Sequence, residues 1–343
     1  DGGGIRGLSE LLILKEIMNR VKATQGLAEV PRPCEYFDMI CGTSTGGLIA
    51  LMLGRLRMTV DDAIAQYGRL SGRVFGQKKF LLSDGKYKAS TLEEVLKTII
   101  AENVYNPEER MLEDDTDPKK PVCKTFVCCT SAVNLSPRFF RTYEAPANKT
   151  FNCMIWEAAR ATSAAPTFFK RIEIGEPGLR EPFIDGGVGR NNPTKCLLEE
   201  AGTVFPGVPI ACLISIGCGQ ADTIGIGPPP SLIYRIIPLH LLEIAKALRH
   251  IATDCEATAQ DVAKQCKDRP NIYFRFNVEQ GMQRIQMNEH GRLDEVSAHT
   301  KQYLKKEVNN SRVNVAAQQL GKQPKRGSSG REFYSCQSFE KLH

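Results

Sequence analysis

The amino-acid sequence predicts an α/β protein with helices on both faces of a central sheet, a three-layer α/β/α sandwich. Short apolar segments of strand length alternate with longer segments of helical periodicity along most of the chain, and this alternation is typical of that class. The composition agrees with a folded chain, since 42% of the 343 residues are hydrophobic and 24% are charged. This length corresponds to about two domains or to one large α/β unit.

Helical and strand-like segments follow one another in a regular order. The first helix is predicted from apolar residues spaced three or four apart between Leu8 and Val21. Buried strands are predicted at 36–41, 122–130, 182–184, 210–216 and 271–278. Further helices are predicted at 48–53, 153–163, 231–267 and 295–320. Two more are expected to start at the capping pairs Thr59 with Asp62 and Ser90 with Glu93, whereas the acidic segment 106–121 has no period and predicts a loop.

Composition divides the chain into a domain at 1–320 and a basic linker or tail at 321–343, where Gly, Ser, Lys and Pro dominate. Nine basic residues oppose three acidic ones between Lys301 and His343, so the net charge of +6 comes entirely from this end. A neutral body with a basic tail is not typical of a nucleic-acid-binding protein, and we expect no nucleic-acid partner. Weak attraction to anionic lipid remains open.

The cysteine pattern predicts a reducing, cytoplasmic compartment and no bound metal. The 12 cysteines include no C-x-x-C pair and no Cys/His cluster at zinc spacing. Several of them lie inside apolar, strand-like segments, where a thiol packs as a small apolar group. No apolar run reaches the roughly 20 residues of a membrane-spanning helix. Because the chain begins at Asp1 and not at Met, we expect an upstream segment as well.

The sharpest local signal is a glycine-rich turn between a predicted strand and a predicted helix. Its residues are Gly42, Thr43, Ser44, Thr45, Gly46 and Gly47. A serine on such a turn projects its hydroxyl above the edge of the sheet, and the helix that follows directs its positive end toward that hydroxyl. This pattern predicts a nucleophile. The alternative is a glycine-rich turn whose hydroxyl groups cap the next helix.

A second glycine-rich loop precedes the first helix and predicts an anion-binding site. It contains Gly2, Gly3, Gly4, Arg6 and Gly7. Exposed backbone N–H groups at a helix start can hold an oxyanion or a phosphate. The spacing also satisfies G-x-G-x-x-G, but the acidic residue at a strand end that a dinucleotide site requires is absent, since Pro31 to Pro33 interrupt that place. A P-loop fails as well, because no Gly-Lys-Ser/Thr follows either glycine cluster.

The base that activates Ser44 remains open on the residues alone. Asp185 follows a predicted strand and precedes Gly186 and Gly187, so its carboxylate could reach Ser44 directly, although an Asp-Gly pair also forms ordinary turns. A Ser-Asp-His order is formally available, for instance with Ser44, Asp185 and His290, but no histidine stands beside a turn or strand end as Asp185 does. The histidines of the chain are His240, His250, His290, His299 and His343.

Taken together, these motifs resemble the patatin-like phospholipase family of lipid acyl hydrolases. The resemblance covers about residues 1–320, and its motifs occur in the family's order. They are the loop Asp1 to Gly7, the elbow Phe37 to Gly47, the helix end Trp156 to Pro166 and the turn Asp185 to Gly187, together with Ile214 to Gly217 and Tyr273 to Phe276.

The resemblance implies a mostly parallel central sheet and a Ser44–Asp185 dyad that uses neither histidine nor a cofactor. Ser44 would form an acyl-enzyme, and the N–H groups of Gly3 and Gly4 would hold the oxyanion, with Arg6 assisting there or meeting a lipid phosphate. The implied substrate is a phospholipid or another acyl lipid. The family also implies a strand before Asp1 and further domains in the full-length chain.

Two alternatives to the dyad hydrolase stay open. One is a Ser-His-Asp esterase that uses one of His240, His250, His290 and His299. The other is a non-catalytic, lipid-binding or signalling module on the same fold. For peripheral contact of a cytoplasmic protein with membranes, the sequence offers two candidate surfaces, the apolar helix at 232–242 and the loop at 75–82 with Lys78 and Lys79. Taken singly, each is more typical of a core element or of a solvated face.

Overall fold

The computed structural model describes residues 1–76, 87–114, 123–145, 151–220 and 255–322. Its strands are β1 (Met39–Thr43), β2 (Lys124–Ser131), β3 (Pro137–Arg141), β4 (Ile172–Ile174), β5 (Glu181–Asp185), β6 (Leu213–Ile216) and β7 (Tyr273–Phe276). Its first five helices are α1 (Leu8–Gln25), α2 (Thr45–Ala50), α3 (Val60–Phe75), α4 (Ala89–Val104) and α5 (Ile155–Thr162). The others are the short turn α6 (Gly187–Arg190), α7 (Thr194–Val204), α8 (255–265), α9 (Leu293–Lys305) and α10 (Glu307–Gly321).

Strand β2 lies at the centre of the larger sheet. Along one edge it pairs first with β1, which is parallel to it at 124–128, and then with β5, which is antiparallel to it at 129–131. Strand β3 occupies the opposite edge, and β4 extends the sheet beyond β5. Because β1 and β5 share an edge and run toward each other, their last residues, Thr43 and Asp185, lie opposite the neighbouring residues Cys128 and Cys129.

Helices cover both faces of this sheet. Side chains of a strand alternate between its two faces, and those of β2 divide accordingly. Phe126 and Cys128 belong to a cluster with Cys196 of α7, while Val127 and Cys129 belong to the main core. That core is built largely from the apolar residues of α1, α3, α4 and α5, with α9 and α10 packed against α1. The three-layer α/β/α class predicted from the sequence is confirmed.

Strand direction varies across the fold. The pairs β1–β2 and β6–β7 are parallel, while β3, β4 and β5 join by antiparallel pairing. Strands β1 and β6 both line a groove of about 130 Å³, together with residues of α1, α2 and α7. The strand expected before Asp1 stays a prediction.

Several predicted elements form as expected, and two details are wrong. Thr59 caps α3, since its Oγ1 accepts the Asp62 N–H at 3.1 Å. Ser90 caps nothing, because α4 already begins at Ala89. The helix predicted at 295–320 is divided into α9 and α10 by the extended backbone of Lys306 (φ −61°, ψ 131°). Strands β3 and β4 were not predicted, because one begins with proline and the other has only three residues.

Some predicted segments lie outside the described residues. They are 115–121 of the acidic loop, 231–254 of the long helical region and the tail from 323 onward. The helix that ends the described chain, α10, stops at Gly321. Within the described ranges, no helix has both the length and the apolar character needed to cross a membrane.

Candidate active site

Ser44 occupies a strained turn between β1 and α2. Its φ of 55° and ψ of −125° form a conformation that non-glycine residues rarely adopt. The chain turns so tightly that a Cβ on Gly42 would overlap the Gly46 carbonyl group, and one on Gly46 would overlap the backbone of Asp1. Glycine is therefore required on either side of Ser44 for steric reasons. The predicted elbow is present at the predicted residues.

Thr162, at the end of α5, anchors this turn to the sheet. Its Oγ1 accepts the Ser44 N–H at 2.9 Å and donates to the Cys128 carbonyl oxygen at 2.6 Å. On the preceding residue, the Thr43 hydroxyl donates to the Arg190 carbonyl oxygen at 2.7 Å. The serine is thus fixed from both sides by buried hydroxyl groups, whose anchoring roles the sequence did not predict.

The Ser44 hydroxyl donates a hydrogen bond directly to Asp185. The Oγ to Oδ2 distance is 2.6 Å, and the Gly187 N–H donates to the other carboxylate oxygen at 2.7 Å. Asp185 is 4% exposed, and this burial raises the pKa of its carboxyl group to about 7, although both hydrogen bonds favour the ionised form. A carboxylate with such a pKa is suited to accept a hydroxyl proton near neutral pH.

The glycine-rich loop lies beside the elbow and is held at several points. The Gly3 N–H donates to Thr45 Oγ1 at 3.0 Å, and the Tyr67 hydroxyl donates to the Gly4 carbonyl oxygen. Gly4 has a φ of 59°, and a Cβ there would overlap Met287, so only glycine fits without strain. The Gly4 N–H makes no hydrogen bond to any described residue, which leaves it available to an anion.

Arg6 follows the loop and is 8% exposed. Its Nε donates to the Gly3 carbonyl oxygen at 3.4 Å. Among the residues that the structure describes, no carboxylate lies within 4 Å of its guanidinium group. A buried guanidinium group without a carboxylate partner, beside a loop with an available N–H group, is a feature that favours an anionic ligand. Gly7 packs against the Tyr67 hydroxyl, where a Cβ would lie 2.6 Å from the oxygen.

The histidines do not take part in this arrangement as far as the structure describes them. His290 is exposed near Gly76, and His299 packs against Gly281. His240, His250 and His343 lie outside the described residues, as do Lys78, Lys79 and the predicted surface helix at 232–242. Phe75, which was expected to begin a surface loop, instead ends α3 and packs edge-on against the Tyr87 ring at 5.2 Å.

The fold and the site place this protein in the class of α/β proteins that carry a serine on a strand-turn-helix elbow beside a buried aspartate. Comparison with known proteins then identifies the family. Residues 1–198, more than half of the chain, match the family model described as patatin-like phospholipase, and the chain belongs to that family. The resemblance stated from the sequence is confirmed.

Individual members of this family are similar to the chain at moderate sequence identity. The chain is 29% identical to human calcium-independent phospholipase A2-gamma over 293 residues, which cover 81% of this chain and 34% of the relative. It is 29% identical to patatin-like protein 2 of Oryza sativa subsp. indica, with 64% of this chain and 60% of the relative covered. Phospholipase A I of Arabidopsis thaliana is 27% identical, with 81% and 24% covered. The chain thus spans about a third of the phospholipase A2-gamma proteins that it matches.

Replacing Thr162 tests how the elbow is anchored. We expect Thr162→Val to lower the free energy of unfolding by about 3 kcal/mol, because the Ser44 N–H and the Cys128 carbonyl group lose their partner inside the protein. Thr162→Ser keeps the hydroxyl and should recover most of that loss. Urea denaturation of the two variants measures the difference. Destabilisation by serine but not by valine would show that the methyl group, and not the hydroxyl, matters.

Proposed function

We propose that the protein hydrolyses fatty-acyl esters of phospholipids or other glycerolipids, with Ser44 as nucleophile and Asp185 as general base. The hydrogen bond of 2.6 Å from the Ser44 hydroxyl to the buried Asp185 carboxylate carries this proposal. Relatives named as phospholipases support the substrate class. A role in lipid catabolism follows from this reaction.

The chemistry has two halves. Ser44 Oγ attacks the ester carbonyl carbon while Asp185 Oδ2 takes the hydroxyl proton. Collapse of the tetrahedral intermediate breaks the bond to the alcohol, which leaves with that proton, and an acyl group remains on Ser44. Water then attacks the acyl-enzyme and gives its proton to Asp185. The second collapse releases the fatty acid and returns the proton to Ser44, so both residues end as they began.

In this proposal, backbone N–H groups of the glycine-rich loop donate hydrogen bonds to the oxyanion of the tetrahedral intermediate. The Gly4 N–H is available, and the Gly3 N–H lies next to it in the chain. Thr45 begins α2, whose N-terminal end adds a favourable dipole beside the nucleophile. Donors fixed where charge develops are worth about 10²–10³ in rate for each donor.

Arg6 favours phospholipids over neutral esters as substrates of the proposed site. Its guanidinium group is buried beside the loop, and a lipid phosphate would supply the anionic partner that the described residues do not. We propose peripheral membrane contact, since the substrate lies in a membrane, and a cytoplasmic location, which the free cysteines of the described residues favour. The greater length of the relatives supports additional domains in the full-length protein.

Labelling with a fluorophosphonate probe tests the dyad. We expect an adduct on Ser44, mapped by peptide mass spectrometry, that is lost in Ser44→Ala and reduced at least about 10³-fold in rate in Asp185→Asn. The ionised carboxylate is the active form, so kcat/KM should rise with pH through about 7 and then level off. Circular dichroism confirms that each variant is folded. A folded wild-type protein that neither takes the label nor hydrolyses esters would instead support the lipid-binding module.

Replacing the histidines separates the dyad from a Ser-His-Asp triad. We expect His240→Ala, His250→Ala, His290→Ala and His299→Ala each to keep kcat within about threefold of the wild-type value, because a triad histidine is worth about 10⁴ or more. Steady-state hydrolysis of a soluble p-nitrophenyl ester measures this. Loss of activity in one variant alone, with its fold intact, would identify that histidine as the base.

Arg6 is tested by comparing two substrates. In Arg6→Gln, we expect KM for a short-chain phosphatidylcholine to rise about tenfold or more, because a charge-assisted contact with phosphate is lost. The neutral p-nitrophenyl ester should be affected much less. Arg6→Lys keeps the charge and serves as the matched variant. An equal rise in KM for both substrates would show that Arg6 stabilises the glycine-rich loop and does not contact the lipid headgroup.

A further inference from the structure

Asn191 forms a two-point hydrogen bond with the glycine-rich loop. Its Oδ1 accepts the Gly2 N–H at 3.1 Å, and its Nδ2 donates to the Gly2 carbonyl oxygen at 3.1 Å. The second hydrogen of Nδ2 has a partner as well, since Nδ2 lies 3.0 Å from Cys255 Sγ. Asn191 is 8% exposed, so this carboxamide pairs with the loop inside the protein as one residue of a β-ladder pairs with another.

Gly2 lies between this carboxamide and the nucleophile. A Cβ on Gly2 would overlap Asn191 Oδ1 and would lie 2.9 Å from the Ser44 Cβ. The next two residues, Gly3 and Gly4, carry the proposed oxyanion donors. The Gly3 N–H belongs to the same planar peptide unit as the Gly2 carbonyl group, so a displacement of Gly2 moves this donor relative to Ser44 and shifts the start of the unit that carries the Gly4 N–H.

Asn191 lies in the segment 185–191, which is hydrogen-bonded to strands β1 and β2. Thr130 of β2 donates to the Val188 carbonyl oxygen at 3.2 Å, and Thr43 of β1 donates to that of Arg190 at 2.7 Å. The same segment begins at Asp185, six residues before Asn191. Asn191 therefore links the upstream end of the glycine-rich loop to the segment that carries the base and is bonded next to the nucleophile. Tyr67 holds the downstream end of the loop.

We propose that Asn191 is a positioning residue for the oxyanion site. Its carboxamide sets the distance between the Gly3 and Gly4 amides and the Ser44 hydroxyl, without touching Ser44 Oγ or Asp185. This inference rests on the proposed function. The Gly2 N–H is shared between Oδ1 and the backbone carbonyl oxygen of Asn191, which lies 3.3 Å away, whereas the Gly2 carbonyl oxygen is bound by the carboxamide Nδ2. An alanine removes both side-chain bonds, and an aspartate keeps the acceptor but loses the donor.

Asn192 offers a matched control in the next position. It is 5% exposed, and its Nδ2 donates to the Cys255 carbonyl oxygen at 2.9 Å. Its Oδ1 accepts from the N–H and the hydroxyl of Thr194, at 3.1 and 2.6 Å, at the start of α7. It makes no hydrogen bond to the described residues of the glycine-rich loop. Loss of Asn192 therefore removes buried hydrogen bonds of the same kind without releasing Gly2.

The experiment compares Asn191→Ala, Asn191→Asp and Asn192→Ala on a soluble p-nitrophenyl ester. We expect kcat to fall about 100-fold in both Asn191 variants, as a displacement of about 1 Å of catalytic donors does, with KM within about twofold. Inhibition by an alkyl trifluoromethyl ketone, whose adduct carries an oxyanion, should weaken by a similar factor, while a matched alkyl ether should bind unchanged. The pH at which activity rises should stay near 7. Asn192→Ala should keep kcat within about threefold.

Amide hydrogen exchange gives a readout that does not depend on activity. Peptides that contain Gly2 to Gly4 should exchange faster in Asn191→Ala than in Asn192→Ala, at equal thermal stability of the two variants. An active wild-type protein whose Asn191 variants keep kcat, or lose it only as Asn192→Ala does, overturns the inference. An inactive wild-type protein overturns the proposed function, and unchanged exchange in Asn191→Ala then overturns the inference separately.

Discussion

Strand β2 pairs along one edge with β1 and β5, which run toward each other and end opposite Cys128 and Cys129. Ser44 follows the last residue of β1, and Asp185 is the last residue of β5, so this register alone brings together two residues 141 positions apart in the chain. A slip of one residue in either pairing would turn the side chains of that strand to the opposite face of the sheet. Thr162 and Gly186 both pack against the Cys128 carbonyl group and add contacts that depend on the same register.

Burial of the Asp185 carboxylate lowers the stability of the folded protein. Burial raises the pKa of Asp185 to about 7, above the 3.8 of an unperturbed aspartate. Between these values the folded protein keeps a proton that the unfolded chain has lost, so the free energy of unfolding decreases as pH rises toward 7. The difference amounts to about 4 kcal/mol for this one group. The Gly187 N–H and the Ser44 hydroxyl offset only part of the desolvation, and the raised pKa that remains is the property that the proposed general base requires.

The sequence predicted the parts of the site that lie within short segments. Ser44 and its glycines are recognisable because a strand, a turn and a helix follow each other directly, and Asp185 stands at the end of a strand for the same reason. The choice between Asp185 and a histidine remained open, since chain order does not reveal which side chains meet. The roles of Thr162, Tyr67 and Asn191 could not be predicted from local pattern, because their partners are backbone groups distant in the sequence.

The hydrogen bond from the Gly3 N–H to Thr45 Oγ1 gives the resting site an internal competitor for the oxyanion. A neutral ester carbonyl group gains little by displacing a hydroxyl oxygen, because the two acceptors are of similar strength. An oxyanion forms a charge-assisted bond about twice as strong, so it can take the donor from Thr45 as negative charge develops. In the proposed reaction, this exchange would make the Gly3 contact selective for the tetrahedral intermediate over the bound ester, and would keep the donor from holding the substrate in its ground state.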